Sequence, residues 1–134
     1  LRSLNANRVE YLLIGGYAVG YHGYPRPTGD LDVWIAVNPE NAVRAAQALV
    51  EFGFANATAT LFERAGPVIR MGMPPVRIEV QTAISGVEFG ECYASRIQTE
   101  LDGVSVTIID LEHLKQNKRA AARHKDLADL ENLP

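Results

Sequence analysis

Residues 13–33 read LIGGYAVGYHGYPRPTGDLDV, and this stretch decides the fold. The apolar run Tyr11-Leu12-Leu13-Ile14 stops at Gly15 and Gly16, and its length and composition suit a buried strand. Residues 16–23 read as a short helix. Tyr24-Pro25-Arg26-Pro27-Thr28-Gly29 must be a loop, because two prolines and a glycine forbid regular structure. A second strand then opens at Asp30 and runs to Val37, with Asp32 one residue beyond the first aspartate.

Side chains alternate across a strand, so Asp30 and Asp32 share one face while Leu31, Val33 and Ile35 take the other. The segment 76–83 divides in the same way, with Val76, Ile78 and Val80 on one side and Arg77, Glu79 and Gln81 on the other. If the two strands are neighbours with their apolar faces together, Glu79 joins the two aspartates. Unit charges about 4 Å apart repel by about 4 kcal/mol at an effective dielectric of 20, so three carboxylates do not converge without a reason. A divalent cation supplies one, and oxygen-only donors suit Mg²⁺ (or Mn²⁺) completed by water and phosphate oxygens. The structural alternative pairs Asp32 with Arg26 and Glu79 with Arg77.

The glycines bear on that choice. Without a Cβ, Gly15 and Gly16 let a ligand approach the backbone closely. The first turn of the following helix offers unpaired N–H groups, so phosphates and a neutralising metal would have adjacent seats.

The rest of the chain alternates helix and strand. Asn38-Pro39-Glu40 starts a helix that Gly53 ends. Residues 68–71 and 76–83 read as two strands of a hairpin, and residues 88–95 as a short helix. Asp102-Gly103 is a two-residue hairpin signal between strands 97–101 and 104–109. Asp110 caps a helix to about Ala122, and a last helix runs to about Leu133. The pattern predicts an α/β fold with a mixed β-sheet, flanking helices and a C-terminal helical pair, in one domain over residues 1–134.

The net charge of −3 gives no global field for nucleic acid. Lys115, Lys118, Arg119, Arg123 and Lys125 nevertheless form a local basic run without an acidic residue among them. On the helix from Leu111, the inward stripe runs Leu111, Leu114, Lys118, Ala121 and Ala122. A lysine on an apolar stripe must snorkel, pair, or serve a site, and a triphosphate beside the carboxylates would give it a partner. Lys125 and Asp126 read as a surface charge pair. His22 and Trp34 read as packed side chains, and Tyr17 is open between packing and base stacking. The single cysteine, Cys92, excludes an internal disulfide, no apolar run reaches membrane-span length, and no signal-peptide pattern is visible. A cytoplasmic setting without membrane contact is expected.

Gly15-Gly16, thirteen residues, then Asp30-Leu31-Asp32, with Glu79 on a later strand, resembles the pattern of the DNA polymerase β-like nucleotidyltransferase superfamily. Gly15-Gly16-Tyr17-Ala18-Val19, His22-Gly23, Arg26-x-Thr28-x-Asp30-x-Asp32, Ile84-Ser85-Gly86-Val87 and Lys118 through Leu130 look most like the small bacterial toxin-type members related to abortive-infection proteins. Gly16 stands where many members carry serine, and Glu79 where aspartate is commoner.

The resemblance implies a nucleotidyltransferase fold and metal-dependent transfer of a nucleoside monophosphate from an NTP such as ATP. The acceptor would be a hydroxyl of RNA, including tRNA, or of protein, with an antitoxin as partner. It implies Asp30, Asp32 and Glu79 as catalytic and metal-binding residues. Gly15, Gly16, Arg26, Thr28 and Lys118 would be its phosphate contacts. The short chain shows no separate acceptor-binding domain, so a partner subunit or a homodimer would supply one. A second reading, from another class, is an inactive nucleotide-binding or toxin–antitoxin interaction module of the same fold.

Overall fold

The structure is a computed structural model that describes residues 1–25, 29–73 and 76–134. Arg26 and Thr28 lie outside the described residues. In chain order the elements are α1 (Arg2–Ala6), β1 (Tyr11–Ile14), α2 (Gly15–Tyr21), β2 (Asp30–Ile35) and α3 (Pro39–Phe52). A 3-10 turn (Ala59–Phe62), β3 (Val68–Met73), β4 (Val76–Gln81) and α4 (Phe89–Ala94) follow. The chain ends with β5 (Ile97–Leu101), β6 (Val104–Ile108), α5 (Leu111–Ala121) and α6 (His124–Asn132).

The six strands form one sheet in the order β3-β4-β2-β1-β6-β5. β2 runs antiparallel to β1 and parallel to β4, so the sheet is mixed. β3 and β4 form the expected hairpin, and β5 and β6 a second one. The second hairpin is closed by Asp102 at φ 51° and Gly103 at φ 79°, the two left-handed residues that a twist-matched two-residue turn requires.

Local chemistry sets the helix boundaries. The Asn38 side chain accepts a hydrogen bond from the Asn41 backbone N–H at 2.8 Å, and Pro39 occupies the first turn of α3. Gly53 ends that helix at φ 121°, a left-handed conformation that suits glycine. Asp110 caps α5 by accepting from the His113 N–H.

Both sheet faces are covered. On one, Leu13, Leu31 and Ile78 face Ala48 and Leu49 of α3 and Leu4 of α1 across an apolar cavity of ≈ 500 Å³. On the other, Trp34 meets the Phe89 ring of α4 edge-on, with centroids 5.1 Å apart, as its packed reading required. Among the described residues no helix is long and apolar enough to cross a membrane.

The differences from the sequence reading are local. β2 stops at Ile35 and β4 at Gln81, each two residues short of expectation. α1 and the 3-10 turn were not anticipated. Both are shorter than two full helical turns, too short for a hydrophobic period to declare itself.

Candidate active site

The β2–β4 register sets Asp30 opposite Arg77 and Asp32 opposite Glu79. Paired residues on neighbouring strands share a face, so the two aspartates and Glu79 stand together, as the alternation demanded. All three line one cavity of ≈ 540 Å³, with Gly15 and Gly16 at one side and Lys118 of α5 at another.

The three carboxylates differ in electrostatic setting. Arg77 donates to both oxygens of Asp30, at 3.0 and 2.8 Å, and holds its carboxyl below the usual carboxylate range. Glu79 is lowered first by a hydrogen bond from Asp32 and then by Arg70, with which it pairs from the neighbouring strand. Asp32 goes the other way. Burial, then the facing Glu79 and the nearby Asp30, push its carboxyl up to about 7. Below about pH 7 the proton shared by this pair therefore belongs on Asp32, which donates it to Glu79. The structural alternative of a Glu79–Arg77 pair is not what forms. Arg77 takes Asp30 and Arg70 takes Glu79.

Gly15 explains how a carboxyl is accommodated so deep. Its φ is +67°, and a Cβ there would lie 2.2 Å from Asp32 Oδ2. The missing side chain makes room first for the aspartate itself, where the sequence suggested room for a ligand.

The chemistry of the donors can be tested against a divalent cation. Asp32 Oδ1 is buried with no hydrogen-bond partner, the mark of an oxygen waiting for a ligand. Among the described residues no three His, Cys, Asp or Glu side chains are arranged to close around one ion. Asp30 is turned to Arg77 and Glu79 shares its charge with Arg70. What remains is a two-carboxylate seat, Asp32 with Glu79, and this fits a hard cation such as Mg²⁺ that keeps water and substrate oxygens in its shell.

Lys118 lies on the inward stripe as expected and is 4% exposed. Its ammonium, however, is bound between Asp126 at 3.2 Å and Asp129 at 3.1 Å. The surface pair expected of Lys125 and Asp126 does not exist. Asp126 is wholly buried and takes Lys118 and Arg123 instead. Burial pushes the Asp126 carboxyl up, but Arg123 and Lys118 together outweigh it and hold it below its ordinary value.

Sequence reasoning missed several residues at the cavity. Arg123 and Lys125 line it; they stood in the basic run and in the family-like stretch from Lys118 to Leu130, but no site role was read for them. Ser85 and Asn117 form another wall, where Asn117 Nδ2 donates to the Ser85 carbonyl at 3.0 Å. Gly86 lets that wall dock, at φ +79° and with a would-be Cβ 2.5 Å from the Ala120 Cβ. His22 is packed, its Nε2 at 2.7 Å from the Ile109 carbonyl oxygen, and Tyr17 borders the apolar cavity on the opposite face.

No protein-family model matches the chain, and no curated protein matches it either. Solved structures do. A candidate nucleotidyltransferase from Thermotoga maritima superposes with a TM-score of 0.65 over 97% of this chain and 84% of its own, at 16% identity. An antigenic nucleotidyltransferase-like protein from Paracoccidioides brasiliensis gives a TM-score of 0.59 over 98% of this chain and 70% of its own, at 18% identity. The chain has a nucleotidyltransferase fold. Sequence identity this low carries the architecture alone, and the chemistry rests on the cavity.

Proposed function

We propose that the protein is a metal-dependent nucleotidyltransferase that moves a nucleoside monophosphate from an NTP to a hydroxyl acceptor. The observation that carries this reading is the gathering of Asp30, Asp32 and Glu79 on one face of β2 and β4, in a cavity bounded by Gly15 and by cationic side chains. Asp32 and Glu79 would hold Mg²⁺ or Mn²⁺, and Asp30 would join them on leaving Arg77. When bound, such a cation neutralises carboxylates and triphosphate together and stabilises the leaving pyrophosphate.

The acceptor oxygen attacks the α-phosphorus. Its new P–O bond forms as the bond to pyrophosphate breaks, and the hydroxyl proton passes to Glu79. Gly15, lacking a Cβ, gives the Asp32 carboxyl its place beside the reacting groups.

The acceptor proposed is an RNA hydroxyl, tRNA ends included. The basic run along α5 and into α6, beside the cavity, supports it. Service as the toxin of a toxin–antitoxin pair belongs to the same proposal. Incubating the protein with each labelled NTP, total RNA and cell protein is expected to label the RNA fraction, and Asp30→Asn and Asp32→Asn are expected to abolish the label. Full labelling by both variants would defeat the assignment.

One observation favours the second reading, an inactive nucleotide-binding module. Asp30 and Glu79 already carry arginines where a metal would compete. Calorimetry with the four NTPs separates the two, since the module binds without Mg²⁺ and releases no pyrophosphate.

A further inference from the structure

Across the cavity from the carboxylates stands the corner between α5 and α6. Three cations of that corner border the cavity, Lys118, Arg123 and Lys125, and they are not equivalent. Lys118 is consumed by Asp126 and Asp129, and withdrawing it would take the shared cation from two buried carboxylates. Arg123 is different. Its side chain is 62% exposed, yet Asp126 fixes it through Nε at 2.7 Å and Nη2 at 3.3 Å. A guanidinium carries five donors in a planar fork, so this contact sets the fork's orientation and leaves donors to face the cavity.

Arg123 also feels the charges of Asp32 and Glu79, and Lys125 acts on Asp30 and Asp32, so both stand within electrostatic reach of the carboxylate face. The turn that delivers them is strained. Ala122, between α5 and Arg123, has φ 53°, a left-handed conformation that costs a non-glycine residue about 1 kcal/mol.

We infer that Arg123 and Lys125 form the polyphosphate subsite of this cavity, with Asp126 as the positioning residue that aims Arg123 and Lys118 as the pivot that holds Asp126. This rests on the nucleotidyltransferase reading for its natural ligand, and it moves the phosphate contact expected of Lys118 onto two other side chains. Arg123 offers a bidentate, planar contact to phosphate oxygens, and Lys125 a point charge.

The test uses inorganic tripolyphosphate with Mg²⁺ as probe, titrated by calorimetry into the wild-type protein and into Arg123→Ala, Arg123→Lys and Lys125→Ala. Wild-type binding is expected. Loss of a charge-assisted contact should weaken it roughly ten- to a hundredfold in Arg123→Ala. Lys125→Ala should lose several-fold and Arg123→Lys should recover part of the loss, while AMP binds all four proteins alike. Because Arg123 also caps α6, melting curves accompany each variant, and Lys125→Ala, which breaks no ion pair among the described residues, keeps the test decisive if Arg123→Ala fails to fold. No wild-type binding of tripolyphosphate, or undiminished binding by folded Arg123→Ala or Lys125→Ala, overturns the inference. Tripolyphosphate binding without any nucleotide transfer overturns the proposed function and leaves the subsite standing.

Discussion

Asp126 and Asp129 sit almost wholly buried at the α5–α6 corner, with Lys118 between them and Arg123 as a second cation on Asp126. Across the same cavity Asp32 is pressed against Glu79, makes no ion pair among the described residues, and keeps one buried oxygen without a hydrogen-bond partner. Both groups set two carboxylates side by side. In the first the fold supplies the compensating charge, and the cluster is complete. In the second it leaves Asp32 to hold a proton instead. Charge that a protein balances internally acts as architecture, and charge that it leaves unbalanced beside a cavity is available to a ligand.

The largest expected effect falls on the balanced group. Lys118→Met removes the shared cation from two buried carboxylates and leaves Arg123 on Asp126, which should cost about 3–5 kcal/mol in urea unfolding. A loss below about 1 kcal/mol would mean that water reaches the cluster, and the contrast would fail. Next comes Asp32→Asn, at the carboxyl proposed to hold the cation. Nucleotide transfer should fall by roughly 10²–10³-fold, as for removal of a group that stabilises transition-state charge, and single-turnover kinetics would read it.

The same substitution should act oppositely on stability in the absence of metal. Asp32 has a folded pKa of about 7 against an unfolded value of about 3.9. The native state therefore holds a proton that the unfolded chain has released, and by linkage stability is lost as pH rises from about 4 to about 7. Glu79 is lowered, so its own contribution changes only below the ordinary glutamate range, and within this pair the interval from about 5 to about 7 belongs to Asp32. Thermal melts in EDTA should show that slope in the wild type and a flattened one in Asp32→Asn, with the variant the more stable at pH 8. An unchanged slope would show that Asp32 does not carry the proton.

The last variant, Gly15→Ala, meets the left-handed φ of +67° and the Asp32 carboxyl together, and its backbone cost alone is the smallest of these figures. It should cost about 1–2 kcal/mol from the backbone, and should weaken Mg²⁺-dependent nucleotide binding more than it lowers the melting temperature.

The acidic face was legible because it follows from a period of two. Asp30, Asp32 and Glu79 alternate with apolar residues on their own strands, and burying the apolar side of both leaves little freedom in where the acids go. Asp102-Gly103 and Asn38-Pro39 were legible for a similar reason, since each states its local geometry in two residues. Asp126 was not. It sits between charged and apolar neighbours in a segment that reads as a solvated helix start, and its burial comes from Lys118 eight residues earlier in the chain and from α6 packing on α5. The arginine partners were open to the same error. The structural alternative set Arg77 on Glu79, its neighbour by alternation, but sheet register hands it Asp30 and brings Arg70 to Glu79 from another strand.

The parallel β2–β4 pairing has a consequence for the molecule's history as well as for its chemistry. Asp30 and Arg77 meet although they stand 47 positions apart in the chain, through a crossover that includes α3. Closing so long a loop is entropically slow, so the acidic face should be among the later parts of the protein to mature. During synthesis the first glycine-aspartate segment would emerge without its partner strand and without the basic corner that follows it. A chain still leaving the ribosome would therefore have no competent centre, and any activity would begin only after the C-terminal helices have docked.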